Sequence, residues 1–200
     1  MKYLILDVDG VIIHGYHHNP QHRRWWNENL QQDLGISPDL LGSEFFTKRI
    51  WDPIIRGEQD ILPCLAEVLA RIGSDVPAET LLEYWLTHDS VLNQPLIDRI
   101  GQLSQQGHIC HLATNQEHRR ARHLWTTLGL SRYFNQLFYS AQLGSNKPDP
   151  AFFRKVNEAI SFDPAKDEVR YFDDSPDCVN SASAAGWTAR IYNTLNDFSL

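Results

Sequence analysis

The chain has 200 residues, 42% hydrophobic and 22% charged, which is enough apolar material for one soluble globular domain, or one domain plus a small insertion. Its 18 Lys and Arg against 25 Asp and Glu leave a net charge of −7. That balance argues against nucleic acid or an anionic membrane as the main partner, while leaving room for a local positive pocket that takes an anion. Cys64, Cys110 and Cys178 are far apart, show no metal-binding spacing, and read as free thiols. No apolar run approaches the ~20 residues of a membrane span. The four apolar residues before Asp7 are too few for a secretory leader, so the expected location is the cytoplasm.

The first element, Tyr3 to Leu6, reads as a short buried strand, and it runs into Asp7, Asp9 and Gly10. In extended backbone, side chains two apart share a side. Two carboxylates so placed repel unless something positive sits with them. From about Pro20 to Leu92 the pattern changes. Trp25, Trp26, Leu30 and Leu34 make a helical stripe ended by Gly35; Leu65, Val68, Leu69 and Ile72 make a second; Leu81, Leu82, Trp85 and Leu86 begin a third. Nothing in this block reads as a strand.

Pro95 opens a further helix that Gly107 ends, and short apolar runs then alternate with helices. The runs are Ile109 to Ala113, Leu137 to Tyr139, Val169 to Phe172 and Thr188 to Tyr192. Between them, Ala121, Leu124, Trp125 and Leu128 form a stripe stopped at Gly129. Phe152, Phe153, Val156 and Ile160 form another, begun by Asp149-Pro150 as N-cap and first helical residue. Ser175-Pro176 opens a third, with Ala182 and Ala185 on a small face and Gly186 at its end. The class is α/β: a Rossmann-like parallel sheet covered on both faces, built from residues 1–16 and 93–200 and interrupted by an all-helical cap over 17–92.

Open parallel sheets bind ligands at the carboxyl ends of their strands. Asp7 and Asp9 follow the first strand, Thr114 and Asn115 the second ("LATN"), Lys147 the third ("NKPDP"), and Asp173 and Asp174 the fourth ("FDDS"). Carboxylates, a hydroxyl and an ammonium on one rim make a set suited to Mg²⁺ and phosphate.

These four pieces, in this order, resemble the motifs of the haloacid dehalogenase (HAD) superfamily, and the insertion after the first resembles the small helical cap of its type I members. The resemblance implies a Mg²⁺-dependent phosphatase acting on a small soluble phosphomonoester, a sugar phosphate or similar. Asp7 is then the nucleophile that forms an aspartyl-phosphate, and Asp9 the general acid and base. Lys147 neutralises charge, while Thr114, Asn115 and Lys147 hold the phosphoryl group. Asp7, Asp174, Asp173 and the backbone carbonyl of Asp9 are the implied metal ligands. Asp9 separates this reading from a 2-haloacid dehalogenase, whose halide leaves as the anion and needs no acid. Val11 stands where many members have Thr. A sugar-phosphate mutase or phosphotransferase would use the same two aspartates. The intact set argues against a binding protein that has kept the fold without turnover.

Other residues carry plainer expectations. His14, His17, His18 and His22 read as solvated residues of the linker into the cap, with His14 or Tyr16 near enough to the first motif to meet phosphate. Arg23-Arg24 reads as a solvated helix start, and "HRRARH" (118–123) as the polar face of an amphipathic helix. Asn115 is alternatively a cap for the next helix, as Asp173 and Asp174 are for the helix at Ser175. In the cap, Trp51, Arg56 and Glu58 are candidate substrate contacts, with Trp51 alternatively core.

Overall fold

The structure, a computed structural model, describes residues 1–198. Five strands, β1 (Lys2–Leu6), β2 (Ile109–Thr114), β3 (Gln136–Tyr139), β4 (Glu168–Asp173) and β5 (Thr188–Ile191), form one parallel sheet in the order β3-β2-β1-β4-β5. The chain steps outward from β1 through β2 to β3, then returns to lay β4 on the other side of β1. The carboxyl end of β1 therefore sits where the winding reverses, the place where such sheets leave a crevice.

Alternation along β1 explains why every residue of its run after Lys2 is apolar. Leu4 and Leu6 join a core with Leu112, Phe172, Leu96, Ile97, Ile100 and Leu124. Tyr3 and Ile5 join a second core with Ala113, Tyr171, Phe152, Phe153, Val156 and Ala182. Both faces of the strand are covered, so no position is left for a polar residue.

Ten α-helices are present among the described residues. α1 (Leu30–Leu34), α2 (Pro38–Phe45), α3 (Lys48–Ile55), α4 (Ile61–Arg71) and α5 (Ala78–His88) lie between β1 and β2. They enclose a core of their own, with Leu30, Phe45, Leu65, Val68, Leu81 and Trp85 at its centre. α6 (Gln94–Gln105), α7 (His118–Arg122), α8 (Ser140–Leu143), α9 (Pro150–Ala159) and α10 (Pro176–Ala184) connect the later strands. None of the described helices is long and apolar enough to cross a membrane.

Two helical expectations change. The stripe at Trp25 and Trp26 is not helical; α1 starts only at Leu30, after a turn that contains Asn27 and Asn29, residues that favour turns and caps over helix interiors. The helix carrying Ala121 and Leu124 widens after α7 into a π-turn over His123–Thr127, closed by a Leu128 N–H to His123 C=O bond of 2.9 Å.

The two segments that join the helical block to the sheet run side by side. Ile13 and Leu92 form a bridge, with His14 N–H on Val91 C=O (2.8 Å) and Asn93 N–H on Ile12 C=O (2.8 Å). Away from this crossing, Arg119 on α7 pairs with Asp60 at the start of α4 (2.9 Å).

One buried group has a consequence for stability. His111 on β2 lies between Tyr3 and Phe138, and its Nδ1 finds no partner among the described residues. Burial pushes it down to about 4. The unfolded chain then binds a proton that the folded chain refuses between about pH 6.5 and 4, so stability falls as pH drops through that window, by about 3 kcal/mol in full. Urea unfolding of His111→Leu is expected to show a shallower loss than wild type over the same range. An unchanged slope would remove His111 as the cause.

Candidate active site

The β1 end is where the sequence changes character. Asp7 donates its N–H to Phe172 C=O (2.9 Å), which continues the sheet, while its Oδ1 accepts from Val8 N–H (2.7 Å) and from Lys147 Nζ (2.9 Å). The chain then turns tightly, with Val11, Ile12 and Ile13 N–H all on Val8 C=O. Gly10 makes this turn possible at φ +75°, and a Cβ there would stand 2.6 Å from Asp174 Oδ2.

Lys147 is buried and its ammonium is fully engaged. Nζ lies 2.9 Å from Asp7 Oδ1, 2.6 Å from Asp173 Oδ2 and 3.0 Å from the Tyr171 hydroxyl. Burial alone would discharge it, but Asp173 and Asp7 outweigh burial and hold it protonated well above the usual lysine range. Its loop is fixed by Asn115, whose Nδ2 donates to Lys147 C=O (2.9 Å) and whose Oδ1 accepts from Lys147 N–H (2.8 Å). Asn115 thus spends its amide on the lysine loop and does not cap α7. Glu117 caps that helix, accepting from Arg119 and Arg120 N–H.

Asp173 and Asp174 close the set at the end of β4. Asp173 Oδ2 accepts from Lys147 and from the Tyr171 hydroxyl, and its Oδ1 accepts from Ser175 N–H (2.8 Å), so it serves the entry to α10 as well. Asp174 Oδ2 accepts from His18 N–H (2.5 Å). Burial, with Asp7 next in weight, pushes Asp174 up to about 8; Asp7 is pushed up to about 7, mainly by burial, against the pull of Lys147.

The donor set itself tests whether a metal fits. One oxygen from each of Asp7, Asp173 and Asp174 lies within 4.8 Å of the others. Three carboxylates face one ammonium, and burial first, then the neighbouring carboxylates, make Asp7 and Asp174 harder to ionise than ordinary aspartates. A divalent cation with hard oxygen ligands suits that deficit. The Asp9 carboxylate is outside this cluster.

Asp9 is held elsewhere. Its Oδ1 accepts from Arg120 Nη2 (2.8 Å), and its Oδ2 from Arg120 Nη1 (3.0 Å) and Gln116 Nε2 (2.6 Å). Arg120 is 3% exposed, so the run 118–123 is not simply a solvated face: one of its arginines points into the protein. The apolar stripe through Ala121 and Leu124 identifies the side that packs on the sheet but says nothing about the neighbouring side that meets the cleft. Arg120 Nη2 also reaches Asp89 Oδ2 (2.9 Å), just after α5.

Asp7, Asp9, Thr114, Asn115, Lys147, Asp173 and Asp174 all line one cleft of about 1000 Å³. Trp26, Phe46, Trp51 and Trp85 form its wall on the helical side, with Trp26 and Trp85 stacked at 5.4 Å. Trp51 therefore belongs to both the helical core and the cleft, while Arg56 and Glu58 pair with each other at the surface (2.8 Å). Of the four histidines, His18 and His22 are exposed and His14 is half-buried. His17 corrects the expectation of solvated residues: it is buried, with Nδ1 3.6 Å from Asp174 Oδ2. Burial pulls His17 below the usual histidine range. Tyr16 and His18 line the cleft, as does Arg24; Arg23 instead donates to the His17 carbonyl (2.6 Å).

A model of the haloacid dehalogenase-like hydrolases matches residues 1–186. A stretch of 89 residues is 36% identical to the phosphorylated carbohydrates phosphatase of Thermotoga maritima, covering 43% of this chain and 40% of that protein. A HAD-family enzyme of Bacteroides thetaiotaomicron, solved as its magnesium complex, superposes with a TM-score of 0.78 at 18% identity, over 100% of this chain and 96% of its own. A Porphyromonas gingivalis protein described as a predicted HAD-like family hydrolase superposes at 0.72 and 18% identity, over 96% and 90%. At such identities the likeness speaks for the fold. With the family match spanning sheet and helical block alike, this chain belongs to the haloacid dehalogenase-like hydrolases.

Proposed function

We propose that this hydrolase is a Mg²⁺-dependent phosphatase that cleaves a small phosphomonoester, a sugar phosphate or similar, through an aspartyl-phosphate on Asp7. The observation that carries the reading is the pairing at the β1 end: one carboxylate bound to a buried ammonium, and a second two residues later in the same cleft but outside the carboxylate cluster. The name of the Thermotoga maritima relative supports the substrate class.

The Asp7 carboxylate attacks phosphorus, forming an O–P bond as the ester P–O bond breaks and the alcohol oxygen leaves with the electron pair. Asp9 gives that oxygen a proton. In the second half, water forms a new O–P bond, the Asp7–phosphorus bond breaks, and Asp9 takes the proton from water. Lys147 opposes the build-up of negative charge at Asp7, and Asn115 keeps the lysine loop in place. The Thr114 hydroxyl, at the end of β2 and on the cleft, donates to a phosphoryl oxygen. Asp7, Asp173 and Asp174 would hold Mg²⁺, which when bound supplies the positive charge that lets a carboxylate approach a phosphate dianion. The helical wall narrows the cleft to small esters and limits water around the phosphoryl group.

Phosphate release from p-nitrophenyl phosphate, sugar phosphates and nucleotides, with Mg²⁺ and with EDTA, tests this. Metal-dependent release, highest on a sugar phosphate, is expected. No release from any ester with Mg²⁺ present would overturn the proposal, and isomerisation of a sugar phosphate without free phosphate would reassign the enzyme as a mutase.

A further inference from the structure

We infer that Arg120 is a positioning residue that aims Asp9, and that it does so through a tie to Asp89 at the exit of the helical block. The inference rests on the phosphatase reading, since it concerns the proton step that Asp9 performs there.

The guanidinium is enclosed and shared. One edge meets both oxygens of Asp9 as a fork at 2.8 and 3.0 Å. Nη2 continues to Asp89 Oδ2 at 2.9 Å, and Nη1 to Gln116 Oε1 at 2.8 Å. Gln116, just ahead of α7, in turn donates to Asp9 Oδ2 at 2.6 Å, so two side chains four residues apart fix the same carboxylate. A bidentate fork fixes the plane of a carboxylate as well as its distance. Asp89 is held from the helical side by Trp85 Nε1 (3.0 Å), and its Oδ1 is buried against Gly15, where a Cβ would stand 2.4 Å away. Trp85 also lines the cleft, and Gly15 follows the Ile13–Leu92 bridge. The chain of contacts therefore runs from the cleft wall, through the crossing segments, to Asp9. Arg120 borders the same cleft as Asp7, but among the described residues its guanidinium bonds are to Asp9, Gln116 and Asp89 and none goes to Asp7, Asp173 or Asp174, so its effect on chemistry passes through Asp9.

This makes a kinetic signature that general damage does not. An aryl phosphate such as p-nitrophenyl phosphate forms the phosphoenzyme without a proton donor, because the phenolate leaves as the anion. Its kcat/KM reports that step alone. Hydrolysis of the phosphoenzyme needs Asp9 to take a proton from water, and appears in kcat. For Arg120→Met, kcat/KM on p-nitrophenyl phosphate is expected to stay within about 3-fold of wild type while kcat falls by roughly 30- to 100-fold. Rapid mixing should then show a burst of phenolate equal to the enzyme present. On an alkyl phosphate, kcat/KM should fall as well. Asp89→Asn, which keeps the shape and loses the charge, is expected to give the same split at about 3- to 10-fold. Arg120→Lys, which keeps the charge and loses the fork, should not restore kcat.

Equal loss of kcat and kcat/KM without a burst, in whichever of these variants fold, overturns the inference and leaves the phosphatase reading intact. An increase in kcat overturns it too. A wild type with no phosphate or phenolate release under Mg²⁺ overturns the phosphatase reading, and the inference falls with it.

Discussion

Asp7→Asn is expected to lose at least about a thousandfold in kcat for Mg²⁺-dependent phosphate release, because the proposed mechanism gives the attack on phosphorus to the Asp7 carboxylate and an amide cannot make it. The same substitution is expected to leave the fold as stable as wild type, or more so. Asp7 is pushed up to about 7 in the fold, by burial above all. In the unfolded chain it titrates near 4. A group raised in this way binds more protons folded than unfolded between the two values, so its contribution to stability is lost as pH rises from about 4 through 7. Asparagine removes that loss while its Oδ1 can still accept from Val8 and Lys147. In EDTA at pH 8, urea unfolding should show Asp7→Asn equal to wild type or more stable by up to roughly 4 kcal/mol, with the gain gone at pH 4. A lowered midpoint at pH 8 would mean that inactivity came from a damaged fold.

Lys147→Met carries the second large effect, with the opposite sign for stability. The ammonium sits between Asp7 and Asp173 with almost no solvent contact. Taking one partner out of a buried ionic group costs about 3–5 kcal/mol, since the carboxylates left behind lose their counter-charge while still largely buried. Activity is expected to fall at least about a hundredfold, because Asp7 would then be more easily protonated and less ready to attack. Added Mg²⁺ is expected to recover part of the lost stability, as a ligand that binds only the folded state does. Denaturant curves with and without Mg²⁺ read both effects. A variant as stable as wild type in EDTA would contradict the role assigned to Lys147 in holding the three carboxylates together.

The four strand ends were legible because each joins two local signals, a short apolar run and an abrupt polar stop, and a parallel sheet brings such stops to one rim. Proline and capping residues marked Pro150 and Pro176 as helix starts for equally local reasons. Arg120 was not legible. In a helix of alternating charge and small apolar residues, the pattern identifies the face that packs on the sheet, and the flanking positions look alike whether they meet water or a cleft. His17 was hidden in the same way: four histidines in nine residues suggest an exposed linker, and only the path of the chain over Asp174 buries one of them. Asn115 and Asp89 act through partners 32 and 31 residues away, distances at which periodicity carries no information. Trp25 and Trp26 misled for a different reason. Their spacing with Leu30 and Leu34 fits a helix, but Asn27 and Asn29 favour a turn, and the two rings are free to line the cleft.

If Asp7 carries the phosphoryl group during turnover, it can be caught there. Enzyme turning over a phosphate ester with Mg²⁺ is quenched in acid within milliseconds, digested, and the peptides are weighed. The expected result is one peptide, spanning residues Tyr3 to Val11, heavier by one phosphoryl group at Asp7, present only with substrate and metal and absent in Asp7→Asn. Turnover that leaves this peptide unmodified in rapid-quench samples, or a phosphoryl group on another residue, would show that Asp7 is not the nucleophile.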